Sequence, residues 1–354
     1  MQNCLKVFDM DIYVLNRNLT RIGLIDNYVS LIWTTRYYFC GDFELYLPIT
    51  DEFLSLLQIG YYLETTNSKY VMLIESINIK TDAESGNYLT VSGRSVESLL
   101  DRRIVCDRFI LQEAKIETIC NSLIEWNFIN PVTEHDSRFM GKIAIAGQTK
   151  GFTDDITTQY FGDNVYEAIT ELCQSYGYGF KMPRINKNFT FEMYSGLNRT
   201  RSQKDNIPAV FSPNFENLIN TEYSYSIQNL KNVAFVAGEG EGSSRKTTFA
   251  GDETGMERRE MYVDARDLSS EKANSESEYI SMLISRGKNK LAATETYPQY
   301  VGEVNNFPDY CGLGDIVEVE NEFGMRATAR ITEIIESYST NGNTRVPTFD
   351  EWSV

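Results

Sequence analysis

The stretch "CGLGDIVEVENEFGMRATARITEIIES" (residues 311–337) decides how the rest of the chain is interpreted, because an earlier stretch repeats its pattern. "LQIGYYLETTNSKYVMLIESINI" (residues 57–79) also places Leu and Gly before an alternating strand, a polar turn and a second strand with Ile-Glu. Alternating apolar and polar residues are typical of half-buried β-strands. The two copies therefore predict two β-hairpins of one design. Their defining residues are Gly60, Ile74, Glu75, Gly314, Asp315, Ile335 and Glu336.

Two explanations of the repeated hairpin stay open from the sequence alone. Duplication of a β-domain within one chain would produce it. Two unrelated hairpins can also look alike by chance. Duplication predicts that residues 57–79 and 311–337 superpose with the same strand order.

Composition and charge limit the class of this 354-residue protein. With 42% hydrophobic residues it can bury the cores of two or three domains, and its 22 Tyr and 19 Phe favour β-rich structure. The formal charge of −17 argues against a surface that grips nucleic acid or an anionic membrane, since both need clustered Lys and Arg. A strongly negative net charge is typical of soluble proteins, and it would also let DNA pass beside the protein without binding to it.

The cysteines and the N-terminal segment indicate where the protein is made. The six cysteines show neither a C-x-x-C pair nor metal-ligand spacing, and most lie in apolar runs such as "IETICNSLI". They are therefore expected as buried, reduced thiols rather than disulfides. Asp9 and Asp11 interrupt the segment in which a signal peptide needs an apolar core, and no apolar run reaches the length of a membrane span. We expect synthesis in a reducing compartment.

The order of patterns along the chain predicts an α+β fold that is mostly β. Early strands end in a helix at "SVESLLDRR", with Ser95 as its N-cap. The middle adds two amphipathic helices, the second with Asp163 as N-cap and Gly177 at C′. The predicted parts are a first β-domain with a closing helix (1–108), an α+β insertion (109–225) and a second β-domain with a helix (226–354).

Recognisable catalytic and metal-binding motifs are absent from the sequence. The one histidine, His135, lies between Glu134 and Asp136, but adjacent side chains point apart and there is no second histidine to join them. His135 is therefore expected in a solvated loop. The 50 acidic residues single out no pair of opposed carboxylates for glycoside hydrolysis. We predict no catalytic residue, no metal site and no cofactor.

The segment "VAGEGEG" places Gly238, Gly240 and Gly242 directly after a strand. A dinucleotide-binding fingerprint needs a helix to follow at once, so that its N-terminal amides hold the pyrophosphate. Here "SSRKTTFAG" follows, which is typical of a turn or a strand. The glycines predict a flexible loop, and with Arg245 this loop is a candidate subunit contact.

Six segments follow one another along nearly the whole chain. They are "CGDFELYLP" (40–48), "YLTVSGRSVESLLDRRI" (88–104), "NVAFVAGEGEGSSR" (232–245), "REMYVDARDL" (259–268), "LISRGKNKLA" (283–292) and "GLGDIVEV" (312–319). Together they resemble the siphophage tail proteins of the gene-product-thirty-seven-like family, which are related in architecture to baseplate hubs and tail-associated proteins. The series as a whole carries the resemblance, because each motif alone is weak.

The resemblance implies a phage tail-hub fold, with two tube-type β-barrel-like domains flanking the α+β insertion. A homotrimer would then present six similar barrels to the sixfold tail tube, which would explain why one chain repeats a hairpin. The implied function is structural: a tail-tip or baseplate hub of a siphovirus that lines the DNA ejection channel.

The resemblance also implies partners and a location. The partners would be the tail tube or distal tail protein, the tape-measure protein and other tail-tip or receptor-binding proteins, with DNA only in transit. The hub would assemble in the host cytoplasm and reside in the virion. Because this chain stops at Val354, wall cutting and host recognition are expected in another protein. The alternatives are a cell-wall-degrading enzyme and a carbohydrate- or receptor-binding tail module.

Overall fold

A computed structural model of the chain shows an α+β protein in which strands predominate, so the predicted class is confirmed at this level. The strands pair as open sheets. The structure describes residues 10–66, 68–82, 86–131, 136–147, 151–270, 273, 275–294, 299–304, 307–323, 326–340 and 342–349.

The elements are numbered in chain order. The strands are β1 (Ile12–Leu15), β2 (Arg21–Ile25), β3 (Ser30–Arg36), β4 (Asp42–Pro48), β5 (Tyr62–Thr65), β6 (Met72–Leu73), β7 (Ser76–Asp82), β8 (Gly86–Arg94), β9 (Phe109–Lys115), β10 (Ile143–Ile145), β11 (Asp155–Tyr160), β12 (Gly179–Lys181), β13 (Arg184–Ile185), β14 (Asn188–Tyr194), β15 (Val210–Phe211), β16 (Ile219–Ser224), β17 (Val233–Ala237), β18 (Thr247–Ala250), β19 (Glu260–Asp264), β20 (Gln299–Glu303), β21 (Ile316–Glu320), β22 (Arg326–Ser339) and β23 (Gly342–Phe349). The α-helices are α1 (Asp51–Leu56), α2 (Ile116–Ile124), α3 (Val165–Tyr176) and α4 (Glu276–Ala292).

The largest sheet contains ten strands, and its main path runs β16-β20-β23-β22-β3-β4-β8-β7. All neighbours along this path are antiparallel. β21 pairs with β22, and β15 lies parallel to β21. Strands from both ends of the chain therefore share one sheet.

The alternation of β4 shows how the sequence forms this sheet. Phe43 and Leu45 are buried, whereas Glu44 between them is exposed. The buried face packs on a second sheet, β2-β1-β5-β6, through side chains such as Ile12 and Leu63. Burial of each large apolar side chain contributes about 1.5–3 kcal/mol. One apolar core thus holds two β-layers together.

The middle part of the chain builds a second core in which α2 and α3 pack with β9, β12 and β14. Gly177 ends α3 with a left-handed φ of 71°, so the predicted C′ residue is confirmed. The N-cap prediction was wrong by one residue. The Asn164 side chain accepts from two backbone N–H groups of the first turn, whereas Asp163 accepts from the backbone of the preceding turn.

The segment "SVESLLDRR" forms a 3-10 helix, Val96–Arg102. Ser95 occupies the N-cap position, as predicted, but its side chain makes no capping hydrogen bond to the helix. The Ser95 hydroxyl instead accepts from the Gly41 backbone N–H at 2.8 Å. A Cβ on Gly41 would lie 2.1 Å from the Thr34 carbonyl oxygen, so the turn between β3 and β4 requires glycine here. Ser95 thus ties the 3-10 helix to that turn.

Between β16 and β20 the chain leaves the large sheet, and the residues described there form a separate layer. The sheet β18-β17-β19 packs on α4 through a small apolar core. The Ser275 hydroxyl caps α4 by accepting from the Glu278 N–H. The Lys290 ammonium of α4 donates to Glu171 of α3 at 2.9 Å, which ties this layer to the middle part of the chain.

The cysteines of the described part are free thiols. Cys120, Cys173 and Cys311 are buried, as predicted, whereas Cys40 and Cys106 are only half-buried. Burial raises the pKa of the Cys173 thiol well above its ordinary value, and the neighbouring Cys120 thiol adds to the shift. The Cys173 thiol is therefore protonated at neutral pH.

Glu97 is a fully buried carboxyl on the 3-10 helix, and one of its oxygens accepts from the Met182 N–H at 2.6 Å. Burial raises the pKa of Glu97, while hydrogen bonds from Ser95 and the Met182 backbone oppose the shift. A carboxyl whose pKa rises on folding stabilises the fold fully below its unfolded-state pKa. That stabilisation is lost as the pH rises through the folded-state pKa.

We expect Glu97→Gln to keep the acceptor for Met182 and to remove this pH-dependent loss. Urea titration measures the free energy of unfolding of the variant and of the wild type. The variant should become more stable relative to the wild type as the pH rises from about 5 to about 8. Glu97→Ala removes the acceptor and should cost about 1–3 kcal/mol at both pH values. A Gln variant as unstable as the Ala variant at the higher pH would contradict a neutral carboxyl.

Candidate assembly interface

The main path of the large sheet consists of two four-stranded units with the same strand order. The first unit is β3-β4-β8-β7, and the second unit is β16-β20-β23-β22. In each unit the last two strands of the order are joined as a hairpin. β22 of the second unit then pairs with β3 of the first unit, a contact that we call the junction. The two units therefore lie side by side in tandem.

The repeated hairpins have the same hydrogen bonds at their bases. In the first unit, the Gly60 N–H donates to the Ile74 carbonyl at 2.9 Å, and the Ile74 N–H donates back to the residue after Gly60. In the second unit, the Gly314 N–H donates to the Ile331 carbonyl at 2.7 Å, and the Ile331 N–H donates back to Asp315. Both glycines have positive φ, +81° and +85°, a conformation that favours glycine. The two hairpins therefore start with the same turn.

This bonding makes Ile331, rather than Ile335, the counterpart of Ile74. The sequence pattern matched Ile74 with Ile335, which lies four residues farther along β22. Ile335 and Glu336 instead pair with residues of β3 across the junction. They belong to the contact between the units rather than to the base of the hairpin.

Ion pairs link the strands on both sides of the junction. Arg36 of β3 donates to Asp42 of β4 and to Glu333 of β22, each at 2.5 Å. In the first hairpin, Glu75 accepts two bonds from the Arg94 guanidinium of β8 at 2.9 and 3.0 Å. Both arginines are thus neutralised by carboxylates of their own sheet.

Glu336 is a largely buried carboxyl at the junction. Burial raises the pKa of Glu336, and the Arg345 guanidinium on β23 opposes this shift. The two groups lie 3.1 Å apart. An ionised Glu336 therefore depends on Arg345, which ties β22 to β23 next to the junction.

Tyr37, fully buried beside the junction, connects it to the middle part of the chain. Its hydroxyl lies 3.1 and 3.3 Å from the carbonyl oxygens of Gly177 and Tyr194, and it accepts from the Gly196 N–H at 3.2 Å. A Cβ on Gly314 would lie only 2.2 Å from the Tyr37 ring. Position 314 therefore requires glycine for two reasons: its φ is positive, and the Tyr37 ring leaves no room for a side chain.

Asp315 is a buried carboxylate that clamps three segments together. It accepts from the backbone N–H groups of Leu197 and Gly312 at 2.8 and 3.0 Å. It also accepts from Arg199 Nε at 2.5 Å, and both side chains of this ion pair are less than one-tenth exposed, at 9% and 6%. A buried ion pair of this kind is costly to break, because the remaining charge has no partner.

The outer strands of the main path, β7 and β16, each have one neighbour among the described strands. In β7, Asn78 and Lys80 are exposed, and Ile79 is 54% exposed. β16 is followed directly by Tyr225, which is 53% exposed. Unpaired edges with exposed apolar side chains favour pairing with another chain. We call β7 and β16 the open edges.

Arg245 ties the glycine loop between β17 and β18 to its surroundings. It donates to the carbonyls of Gly238 and of the preceding residue, each at 2.8 Å, and to the Asp264 carboxylate at 2.5 Å. Gly240 and Gly242 take positive φ within the loop. These bonds hold the loop against β17 and β19. The sequence analysis expected a flexible loop and did not foresee them. Contact of this loop with another subunit stays a prediction.

Glu134 and His135 lie outside the described residues, so their predicted solvated loop stays a prediction. Within the described ranges, no group of three or more His, Cys, Asp or Glu side chains is placed to hold a metal ion. None of the helices described is long and apolar enough to cross a membrane.

Tyr37, Arg199 and Ile331 were missed by the sequence analysis. Tyr37 and Arg199 lie in "TTRYYF" and "GLNRTRSQ", and neither pattern distinguishes a residue that bridges distant segments. For Ile331 a signal exists, because Ile-x-x-Ile occurs in both hairpins. The first copy starts at Ile74 and the second at Ile331.

We expect Gly314→Ala to lower the free energy of unfolding by about 1–3 kcal/mol or more, because its Cβ meets the Tyr37 ring and its φ is left-handed. Gly312→Ala is the matched control. A Cβ at 312 meets nothing within 4 Å, and the residue needs no left-handed φ. Equal urea-unfolding midpoints for the two variants would contradict the required close contact at 314.

Asp315→Ala should cost about 3–5 kcal/mol, since it leaves Arg199 buried without its carboxylate. Glu318→Ala, three residues later on β21, is the control. Its ion pair with Arg201 is partly exposed, at 20% and 50%, and should be worth about 1 kcal/mol or less. Chemical unfolding of both variants measures the difference, and similar losses would argue against the special role of the buried pair.

Three solved structures share this fold over nearly the whole chain. The 43 kDa tail protein of prophage MuSo2 from Shewanella oneidensis has a TM-score of 0.59 at 13% identity, covering 96% of this chain and 98% of that one. The tail protein from Neisseria meningitidis MC58 has a TM-score of 0.57 at 11% identity, covering 97% of both chains. Prophage tail protein gp18 from Listeria monocytogenes EGD-e has a TM-score of 0.53 at 14% identity, covering 96% of this chain and 94% of that one. At these identities the similarity shows the fold alone.

Sequence comparisons point to one family. No curated protein matches the chain. The family model described as Siphovirus ReqiPepy6 Gp37-like protein matches residues 11–349, a range that includes both units, the junction and the middle part. The family resemblance seen in the sequence is therefore confirmed. This chain belongs to the siphovirus ReqiPepy6 Gp37-like protein family.

Proposed function

We propose that this chain is a structural component of a phage tail tip, a homotrimeric hub that joins a sixfold tail tube or distal tail ring to the tip. The observation that supports this most is the tandem arrangement of two four-stranded units with an open edge at each end. The shared fold with three tail proteins, two of them from prophages, supports the same class of function.

The junction supplies a geometry for the trimer. Within the chain, β22 pairs with β3. The open edges β7 and β16 are the counterparts of β22 and β3 in the repeated strand order. β7 of one subunit can therefore pair with β16 of the next subunit in the same way. Three chains would then form a ring of six similar units, each a tube-type, barrel-like β-domain.

The repeat also predicts the register of this joint between subunits. Counting along the matching hairpins places Asn78 where the second unit has Ile335. Counting across the matching strands places Ser224 where the first unit has Thr34. Ile335 and Thr34 are direct partners across the junction, so Asn78 and Ser224 of adjacent subunits should be partners too. The bond from the Tyr37 N–H to β22 places this pair at a non-hydrogen-bonded site, where Cβ atoms approach closely.

The face of the large sheet opposite its core suits a channel wall. It carries Glu44, Asn78 and Ser92 among its polar side chains. Arg36 and Arg94 lie on the same face but are held by carboxylates. In a protein with a formal charge of −17, such a wall would not retain the phosphates of passing DNA.

The proposal extends to partners, location and domains. The partners are two further copies of this chain, the tail tube or distal tail protein, the tape-measure protein and other tail-tip or receptor-binding proteins. The protein assembles in the host cytoplasm, resides in the virion and acts as a structural rather than an enzymatic component. In the division 1–108, 109–225 and 226–354, β16 comes from the end of the insertion and completes the second unit.

We expect the double variant Asn78→Cys, Ser224→Cys to form a disulfide-linked trimer under mild oxidation, because the paired Cβ atoms would be within disulfide distance. Non-reducing electrophoresis and mass in solution measure the product, and negative-stain electron microscopy should show threefold rings with a central hole.

Two controls define the register. Each single variant should give no trimer band, which excludes the native cysteines as the source. Ser76→Cys with Ser224→Cys is out of register by two residues and should cross-link poorly. A wild-type chain that stays monomeric, together with a double cysteine variant that forms no 78–224 disulfide, would contradict the trimeric hub. Turnover of purified peptidoglycan would favour the enzyme alternative instead.

A further inference from the structure

The sheet β18-β17-β19 has one face that is filled by its own helix. Ala234, Val236 and Ala250 of this face are buried against α4. The helix approaches so closely that a Cβ on Gly287 would lie 2.7 Å from the side chains of Val236 and Ala250. The inner face therefore has no room for a further partner, and any partner must use the outer face.

The outer face carries a row of three aromatic side chains across the three strands. Phe235 of the central strand pairs in register with Phe249 of β18 and with Tyr262 of β19. The ring centroids lie 5.0 and 6.3 Å from that of Phe235. Phe249 is 49% exposed and Tyr262 is 56% exposed. We call these three residues the aromatic row.

The charged groups around the aromatic row are already paired. Arg258 lies over the Phe249 ring at 5.0 Å and donates to Glu260 at 2.6 Å. On the other side, Arg245 donates to the Tyr262 hydroxyl at 2.7 Å and also binds a carboxylate of β19. Aromatic and arginine side chains are enriched in the energetically important centre of protein interfaces. The paired rim makes a polyanion an unsuitable ligand, because Arg245 and Arg258 are already held by carboxylates.

The ring geometry favours a protein over a glycan as the occupant. The Phe249 and Tyr262 rings are tilted by 44° and 45° relative to Phe235. They therefore do not form the flat platform on which a sugar ring would stack. Tilted rings instead leave gaps into which apolar side chains can insert, as they do in protein cores.

The position of this layer in the fold indicates which protein covers it. The first unit joins its β3 and β4 by the short turn of residues 37–41, whereas the second unit inserts residues 225–298 between the equivalent strands β16 and β20. The inserted layer thus leaves the sheet directly from the open edge β16. Its first residues include Tyr225 and Ile227, which are 53% and 37% exposed. These first residues therefore border the joint at which the next subunit is proposed to pair, and they connect that joint directly to the layer.

We infer that the aromatic row is a subunit contact, covered in the trimer by the next copy of this chain. This inference rests on the proposed hub and adds a second contact beside the β7–β16 pairing. The strand joint sets the register between subunits, and the aromatic row supplies apolar area that an edge-to-edge strand pair lacks.

The test uses the full-length chain with Phe249→Ser and Tyr262→Ser together. Both side chains are half-exposed and lie outside the core against α4, so the monomer should fold with an unchanged circular dichroism spectrum and unfolding temperature. We expect the dissociation constant of the trimer, from sedimentation over a range of concentrations, to rise about tenfold or more. Met256→Ser is the control, since Met256 is 99% exposed in the connection between β18 and β19 and should leave the constant unchanged.

The outcomes separate this inference from the proposed function. If the Phe249→Ser, Tyr262→Ser variant trimerises as tightly as the wild type, while the separate Asn78→Cys, Ser224→Cys variant forms its disulfide, the aromatic contact is overturned and the hub stands. If the Phe249→Ser, Tyr262→Ser variant weakens the trimer but the Asn78→Cys, Ser224→Cys variant forms no disulfide, the aromatic contact is retained and the strand register is overturned. A wild-type chain that stays monomeric at every concentration overturns both. Unchanged trimerisation with glycan binding that the double variant loses assigns the row to a carbohydrate instead.

Discussion

The antiparallel ladder between β3 and β22 is the contact on which the rest of this structure depends. It pairs seven residues of each strand, and its Arg36–Glu333 ion pair joins positions 297 residues apart. Closing a long loop costs only slightly more entropy than closing a shorter one. The ladder is nevertheless formed by strands that are far apart in the sequence, so contacts between sequence neighbours do not help to form it. Packing must therefore compensate, and Trp33 and Tyr37 of this region are both fully buried. Without the ladder, each unit would expose a further unpaired edge.

Features that depend on neighbours in the sequence were predictable from it. Alternation identified the strands, and the glycines at 60 and 314 marked the turns that start the two hairpins. The end of α3 followed from Gly177, because only glycine takes a left-handed φ without strain. Its start was missed by one residue because Asp163 and Asn164 are both good N-cap residues, and the sequence alone offers no means of choosing between them.

Features that depend on register and on distant contacts were not predictable. The ladder of β22 shifts between Ile331 and Glu333, and this irregularity moves the buried position from an odd-numbered to an even-numbered residue, so that Ile334 is buried rather than Ile335. A strict alternation pattern cannot contain such a shift. The sequence-based alignment of the hairpins rested instead on the Ile-Glu pairs at 74–75 and 335–336, and the second pair lies four residues past the true counterpart of the first. The Arg199–Asp315 pair is equally hidden, because its partners lie 116 positions apart in unremarkable loops.

The tandem order limits how this chain can assemble. Its open edges are different strands, β7 and β16, so pairing them makes a head-to-tail contact that either closes into a ring or continues as a filament. The rotation between neighbouring units decides between these outcomes, and within each chain the β22–β3 junction already sets that rotation. A joint that copies the junction would repeat the same rotation, and because each chain has two units, a closed ring would contain an even number of units. In the proposed hub, three chains would match a sixfold tail tube, and this would explain why one chain carries the hairpin twice.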